Sequence, residues 1–240
     1  MRWQTKFGAC IYTSASGYKV HENYFYRWLT LDSKALQTVI NKKKPGKPIL
    51  YYVQTFTLMT RALPGNSCLL GLGGAAVAQL LSTFPGSITA VDNSDEVIEI
   101  AQNYFMIDKI PELTVIHQSA EQYLEQNQTK YTHLLVDLYN AHCFPDECNN
   151  EHFFLQCKNR LQEEGFMAIN LANSKEQYAI LQLIKKQFNN TLVIPIKKCA
   201  NIIIIASNHA QKTEFTNIIL NTKEIKQIIW DSLWGFVGYL

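Results

Sequence analysis

The chain has 240 residues, 22 of them basic and 20 acidic, and a net charge of +2 gives no electrostatic reason to expect nucleic acid or an anionic membrane as partner. A hydrophobic share of 47% supplies one large core and excludes a disordered chain. No stretch approaches the roughly 20 apolar residues that cross a bilayer. MRWQTKFGACIYTSASGYK has no signal-peptide core, so a cytoplasmic protein is expected.

Residues 1–60 carry short aromatic and β-branched segments, FGACIYT, YKVH and NYFYRWLTL, separated by Gly, Ser and Asp. That composition predicts strands and hairpins, hence a small N-terminal β-rich domain over 1–60. The run Lys42-Lys43-Lys44-Pro45-Gly46-Lys47 is broken by turn formers and reads as a solvated loop.

From residue 61 onward short apolar runs alternate with helical stretches. CLLGLG leads into a helix to about Phe84, SITAVD into DEVIEIAQNYF, and LTVIHQ into AEQYLEQN. YTHLLVDLY leads through a loop to a helix near 149–162, and FMAINLA into SKEQYAILQLIKKQF. Such alternation predicts an α/β domain over 61–240, a mainly parallel sheet covered by helices on both faces.

TLVIPIKKC and NIIIIASN are too close together for a helical crossover, so they are expected to pair as an antiparallel hairpin at the end of that sheet. Five βα units followed by a hairpin is the order of the Rossmann-like class I methyltransferase sheet. A dinucleotide-binding sheet would continue with a sixth parallel strand. The tail through IKQIIWDSLWGF is predicted as a helix that packs Trp230 and Trp234 against the body or a partner chain.

Gly71-Leu72-Gly73-Gly74-Ala75-Ala76 closes the first parallel strand, and Asp92 closes the second, twenty-one residues after Gly71. Gly71 and Gly73 permit a tight turn and a close ligand approach. The carboxylate of Asp92 can accept hydrogen bonds from two ribose hydroxyls. The pattern formally satisfies G-x-G-x-x-A, which both adenosyl and dinucleotide cofactors use. The hairpin ending and the strand-rich segment before the turn favour an adenosyl-sulfonium ligand.

Six cysteines at positions 10, 68, 143, 148, 157 and 199 form no CxxC pair and are expected to be reduced and mostly buried. His142, Cys143, Cys148 and His152 match no zinc spacing, and no metal is expected.

Several segments resemble the spermidine synthases (aminopropyltransferases) and their shorter bacterial relatives. NYFYRWLTLDSKALQT resembles the family's LDGxxQ segment, with Asp32 and Gln37 one residue further apart. YYVQTF resembles its tyrosine-led YQEM segment through Tyr52 and Gln54, and GLGGAA resembles GGGDGG. HQSAEQYL resembles the adenine-recognising Asp-Ala segment through Ser119 and Ala120, and VDLYNAHCFPDE resembles DSSDPxGPA through Asp137. Three of the family's acids are neutral here, as Gly74, Ser119 and Asn140, while Asp92 and Asp137 remain.

The resemblance implies a transferase that moves an aminopropyl group from decarboxylated S-adenosylmethionine to a di- or polyamine. Gly71, Gly73, Asp92, Ser119 and Ala120 would bind the donor, Asp137 would position or deprotonate the amine, and Tyr52, Gln54 and Tyr139 would bind the acceptor. Asp146, Glu147 and Glu151 follow Asp137 closely and could supply charge to a diamine; an ordinary solvated loop accounts for at least two of them. Two alternatives stay open. Gly74 lets in the carboxylate of intact S-adenosylmethionine and so favours a methyltransferase. Ser119 and Asn140 favour a degenerate member that binds an adenosyl ligand without turnover. The resemblance also implies a homodimer, with which the aromatic tail is compatible.

Overall fold

The computed structural model describes residues 3–31, 35–140 and 143–240. Its first body is a four-stranded antiparallel sheet in chain order: β1 (Ala9–Thr13), β2 (Tyr18–Glu22), β3 (Tyr26–Leu31) and β4 (Ala35–Asn41). Short polar turns set its register. Ser14 Oγ accepts from Tyr18 N at 3.0 Å, and Asn23 Oδ1 accepts from Phe25 N and Tyr26 N at 3.0 and 2.8 Å.

Two short helices, α1 (Val53–Phe56) and α2 (Leu58–Ala62), lead to the second body. There β5 (Ser67–Leu70), α3 (Ala76–Leu81), β6 (Ile88–Asp92), α4 (Asp95–Phe105), β7 (Leu113–His117), α5 (Ala120–Gln126) and β8 (Tyr131–Val136) alternate. They are followed by α6 (Glu151–Asn159), β9 (Leu161–Leu171), α7 (Gln177–Gln187), β10 (Asn190–Pro195) and β11 (Ile202–Ser207). The chain ends with α8 (Lys212–Asn221), β12 (Gln227–Asp231) and β13 (Gly235–Tyr239).

The nine strands are ordered β12-β13-β10-β11-β9-β8-β5-β6-β7. Strands β5 to β9 pair in parallel, and β11 runs antiparallel to both β9 and β10, as the spacing of the two aliphatic runs required. Central strands are buried on both faces. Leu69, Ala90, Leu135 and Ala168 enter one apolar layer, with Val53, Phe56, Leu58 and Met59 of α1 and α2. Cys68, Leu70, Leu134 and Val136 enter the opposite one. That double burial explains why these strands read as continuous apolar runs rather than alternating ones.

The first sheet is packed onto the second body. Val20, Leu29 and Ile40 bury one face against Ile100 and Phe105 of α4. Strand order reverses at β5, which lies between β6 and β8, so a crevice opens at the carboxyl ends of these strands.

Two expectations are corrected. The tail is no helix: β12 and β13 form a hairpin that continues the large sheet, β13 lying parallel to β10. Asp231 Oδ1 accepts from Leu233 N and Trp234 N, both at 2.8 Å, and Gly235 takes a φ of 82°, so DSLWG is a turn between two strands. The cysteines are not mostly buried either. Cys68, Cys148 and Cys157 are buried, Cys143 is intermediate, and Cys10 and Cys199 are exposed; all six are free. Among the described residues no helix is long and apolar enough to cross a membrane.

Candidate active site

The glycine turn between β5 and α3 owes its shape to left-handed residues: Gly71, Gly73 and Ala75 have φ of 93°, 50° and 60°. Gly71 is also a place where two chain segments touch. A Cβ there would lie 2.4 Å from the carbonyl oxygen of Asp137, so only glycine lets the end of β8 come this close.

Asp92, at the end of β6, braces the turn. Its Oδ2 accepts from Leu72 N at 2.8 Å and its Oδ1 from Ser94 N at 3.0 Å. Burial raises the Asp92 carboxyl above the ordinary carboxylate range, against the opposing pull of these amides. The Gly73 amide is directed at the same carboxylate, which keeps acceptor capacity for a ribose hydroxyl. Ser119 caps α5, accepting from Gln122 N at 3.3 Å, and Ala120 follows it.

A cavity of about 830 Å³ runs from this end to Asp137. Gly71, Gly73, Asp92, Ser119 and Ala120 line it, together with Tyr52, Asp137 and Tyr139. Eight of the nine residues singled out for the site therefore share one wall. Gln54 does not join them. On a one-turn helix, residues two apart point to opposite sides, so Tyr52 facing the cavity sends Gln54 outward. There its Nε2 meets Glu224 Oε2 at 3.3 Å, and Glu224 is ion-paired with Arg61 at 2.6 Å.

Asp137 is held by two side-chain donors. Tyr52 Oη donates to its Oδ2 and Asn170 Nδ2 to its Oδ1, each at 2.8 Å. Asn201 Nδ2 in turn donates to Asn170 Oδ1 at 2.8 Å, fixing the orientation of that amide. Burial pushes the Asp137 carboxyl up, while the Asn170 and Tyr52 hydrogen bonds pull it down. Burial and the neighbouring Asp137 push the Tyr52 phenol well up, so it stays a hydrogen-bond donor. Tyr139 is 37% exposed on the rim, its phenol raised by burial and by Glu176.

Other side chains complete the wall. Thr38, on β4, accepts from Gly74 N at 2.9 Å, and a Cβ on Gly74 would meet Thr38 side-chain carbons at 2.8 Å. The threonine thus fills the space that a side chain at 74 would need. Gln37 and Glu147 also line the cavity, whereas Asp146 is exposed and Glu151 pairs with Lys186. Asp32 and His142 lie outside the described residues. Among the described residues no group of three or more His, Cys, Asp or Glu side chains could hold a metal, and His152 pairs with Glu125 at 3.0 Å.

The sequence reading missed Thr38, Asn170 and Asn201. Asn170 carries a signal in hindsight, as the polar residue in the otherwise apolar run FMAINLA.

Known proteins with this architecture include spermidine synthases and a human methyltransferase-like protein. A spermine/spermidine synthase domain model matches residues 38–215. A polyamine aminopropyltransferase from Neisseria meningitidis serogroup A is 27% identical over 196 residues, covering 78% of this chain and 74% of the relative. The crystal structure of a probable spermidine synthase from Corynebacterium glutamicum superposes with a TM-score of 0.72 at 16% identity, covering 89% of this chain and 86% of the other. A spermidine synthase crystallised with the transition-state analogue AdoDATO gives a TM-score of 0.63 at 14% identity, covering 84% and 73%. The match over 38–215 takes in β4 from Thr38 onward, the glycine turn, Asp92, Asp137 and the β10–β11 hairpin, and the chain belongs to the spermine/spermidine synthase family.

Proposed function

We propose that the cavity binds decarboxylated S-adenosylmethionine and a primary amine, and that the protein transfers an aminopropyl group from the first to the second. The observation that carries this reading is the placement of two carboxylates in one cavity: Asp92 at the nucleoside end and the Tyr52–Asp137–Asn170 cluster at the other. The donor fits as substrate because Asp92 has acceptor capacity to spare and the glycine turn leaves its backbone open to close approach.

In the reaction the amine nitrogen attacks the carbon beside the sulfonium. A C–N bond forms, the C–S bond breaks, its electron pair stays on sulfur, and methylthioadenosine leaves. The acceptor amine is protonated in water, with a pKa of about 10, and must first lose a proton. Asp137 is the group to receive it, directly or through water, and its raised affinity for protons suits that task. Tyr52 and Asn170 hold the carboxylate in place. Tyr139 lines the path of the acceptor chain. Membership of the family supports a di- or polyamine as the acceptor.

Methyl transfer from intact S-adenosylmethionine is a second reading, favoured by Gly74. The glycine turn presents no carboxylate to repel the one that the intact molecule carries. Calorimetric titration separates the two: aminopropyl transfer requires tighter binding of the decarboxylated donor, and preference for the intact one would move the protein to methyl transfer. Preference for NAD would remove both.

A further inference from the structure

Strand pairing sets three polar side chains side by side at one end of the large sheet. Val136 of β8 lies beside Ile169 of β9, so Asp137 comes next to Asn170. Asn170 pairs with Ile203 of β11, and Asn201, two residues earlier, falls on the same face. Backbone contacts hold Asn201 in that place. Its carbonyl accepts from Ile196 N at 3.0 Å. The buried Gln177 ties the loop to β9, its Nε2 donating to Ala200 O at 2.8 Å and to Leu171 O at 3.0 Å.

The resulting chain of hydrogen bonds has a direction. Asn201 Nδ2 donates to Asn170 Oδ1, and Asn170 Nδ2 donates to Asp137 Oδ1, both at 2.8 Å. An amide has one donor end and one acceptor end, whereas an ionised carboxylate only accepts. Turning the Asn170 amide over would set two acceptors face to face at Asp137 and two donors face to face at Asn201. Protonation of Asp137 relieves the first conflict; the second persists for as long as Asn201 presents its NH2. The bond accepted at Asn170 Oδ1 also polarises that amide and strengthens its NH2 as a donor. Tyr52 donates to the other carboxylate oxygen and stands outside this chain. Asp137 shares the cavity wall with the titratable groups of Tyr52, Tyr139, Lys198 and Cys199, and with the acids Asp92 and Glu147. All of these stay in place when only Asn201 or Asn170 is changed.

We infer that Asn201 is a positioning residue for Asp137: its NH2 fixes the Asn170 amide with the donor end on the carboxylate, which keeps Asp137 ionised and its remaining lone pairs open to the acceptor amine. The link to turnover rests on the proposed aminopropyl transfer; the link to ionisation does not.

Ionisation is read from the carboxyl carbon NMR shift of the aspartate-labelled protein against pH, the Asp137 signal being identified by its loss in Asp137→Asn. Wild type, Asn201→Leu, Asn170→Leu and the double variant are compared, and Asn201→Ala repeats the comparison should leucine prevent folding. Asn201→Leu is expected to raise the Asp137 midpoint by about half a pH unit, and Asn170→Leu by about one. With Asn170 already replaced, Asn201→Leu should add nothing. The acid limb of kcat/KM for transfer to putrescine should move with the midpoint. An unmoved midpoint in Asn201→Leu and Asn201→Ala overturns the inference, as does an equal rise with and without Asn170. A midpoint that moves while the acid limb stays removes Asp137 as the base and leaves its control by Asn201 standing. A wild type inactive with decarboxylated S-adenosylmethionine removes the proposed reaction, and the carbon titration still decides the role of Asn201.

Discussion

Tyr52 and Asp137, 85 residues apart in the chain, meet through a 2.8 Å hydrogen bond that joins the segment before the large sheet to the end of β8. The phenol is the donor, so the contact favours the ionised carboxylate over the protonated acid. Asn170 does the same from β9. Two neutral donors thus partly offset the burial that raises Asp137, and leave it a base able to hold a proton.

Removing one donor should move that balance. Tyr52→Phe takes away a stabiliser of the carboxylate, so the Asp137 pKa rises further. The acid limb of kcat/KM against pH is expected to shift to higher pH, with activity above the limb reduced about tenfold through lost positioning. An unmoved acid limb would mean that Asp137 is not the group titrating there.

Asp137 should also carry a stability penalty. Its folded-state pKa lies above the unfolded value, so stability falls as pH rises from the unfolded value through the folded one, and the deficit persists at neutral pH. Asp137→Asn keeps the shape, still accepts from Asn170, and can donate to Tyr52. The variant is expected to lose about 10²- to 10⁴-fold in transfer rate and yet melt higher than wild type at neutral pH. Each kcal/mol gained moves Tm by about 2–4 °C in a chain of this size. The gap should shrink as the pH is lowered towards the ordinary carboxylate range. A variant that melts lower at neutral pH would contradict the penalty.

His133 gives the opposite pH dependence. It is buried on β8, with Nδ1 3.2 Å from Ser67 Oγ and Nε2 without a partner among the described residues, and burial pulls it from 6.5 down to about 4. Between those values the unfolded chain binds a proton that the folded chain refuses. Its contribution is therefore complete above 6.5 and is lost as pH falls towards 4, a loss of about 3 kcal/mol. Urea unfolding across this range should show the decline in wild type and a flatter profile in His133→Gln. Equal slopes would show that His133 is protonated in the folded chain.

Gly74 and Thr38 should act as a pair. A carboxylate at 74 would repel the carboxylate of intact S-adenosylmethionine, but its Cβ would strike Thr38 at 2.8 Å. Gly74→Asp alone is expected to destabilise the protein. Combined with Thr38→Ala it should fold and favour the decarboxylated donor by about tenfold more than wild type does. Additive stabilities in the double-mutant cycle would show that the two residues do not compete for space.

Much of this site was legible in the sequence because its framework is local. The glycine turn and Asp92 are one βαβ unit, and their spacing alone places the acid beside the turn. Asp137 was readable from the apolar run that it ends. Asn170 and Asn201 were not, since they meet only when β9 and β11 pair side by side, and no local pattern records that pairing. Thr38 was hidden for a similar reason: it reaches the glycine turn from a different sheet. The tail misled because its apolar residues fit either period. Adjacent Ile228 and Ile229 suit a strand, and the Asp231 side chain closes the turn that a helix would have run through. Gln54 failed because a sequence likeness carries residue order and not the direction in which a one-turn helix points it.

Asp137 is proposed to serve aminopropyl transfer in a cavity whose other end would hold the nucleoside at Asp92. The most direct measurement is a mass-spectrometric assay with decarboxylated S-adenosylmethionine and putrescine, run on wild type and Asp137→Asn. Wild type is expected to form methylthioadenosine and aminopropylated amine in equal amounts, and the variant to be slower by about 10²- to 10⁴-fold. Methylated amine formed from the intact donor, with no methylthioadenosine from the decarboxylated one, would contradict the proposal.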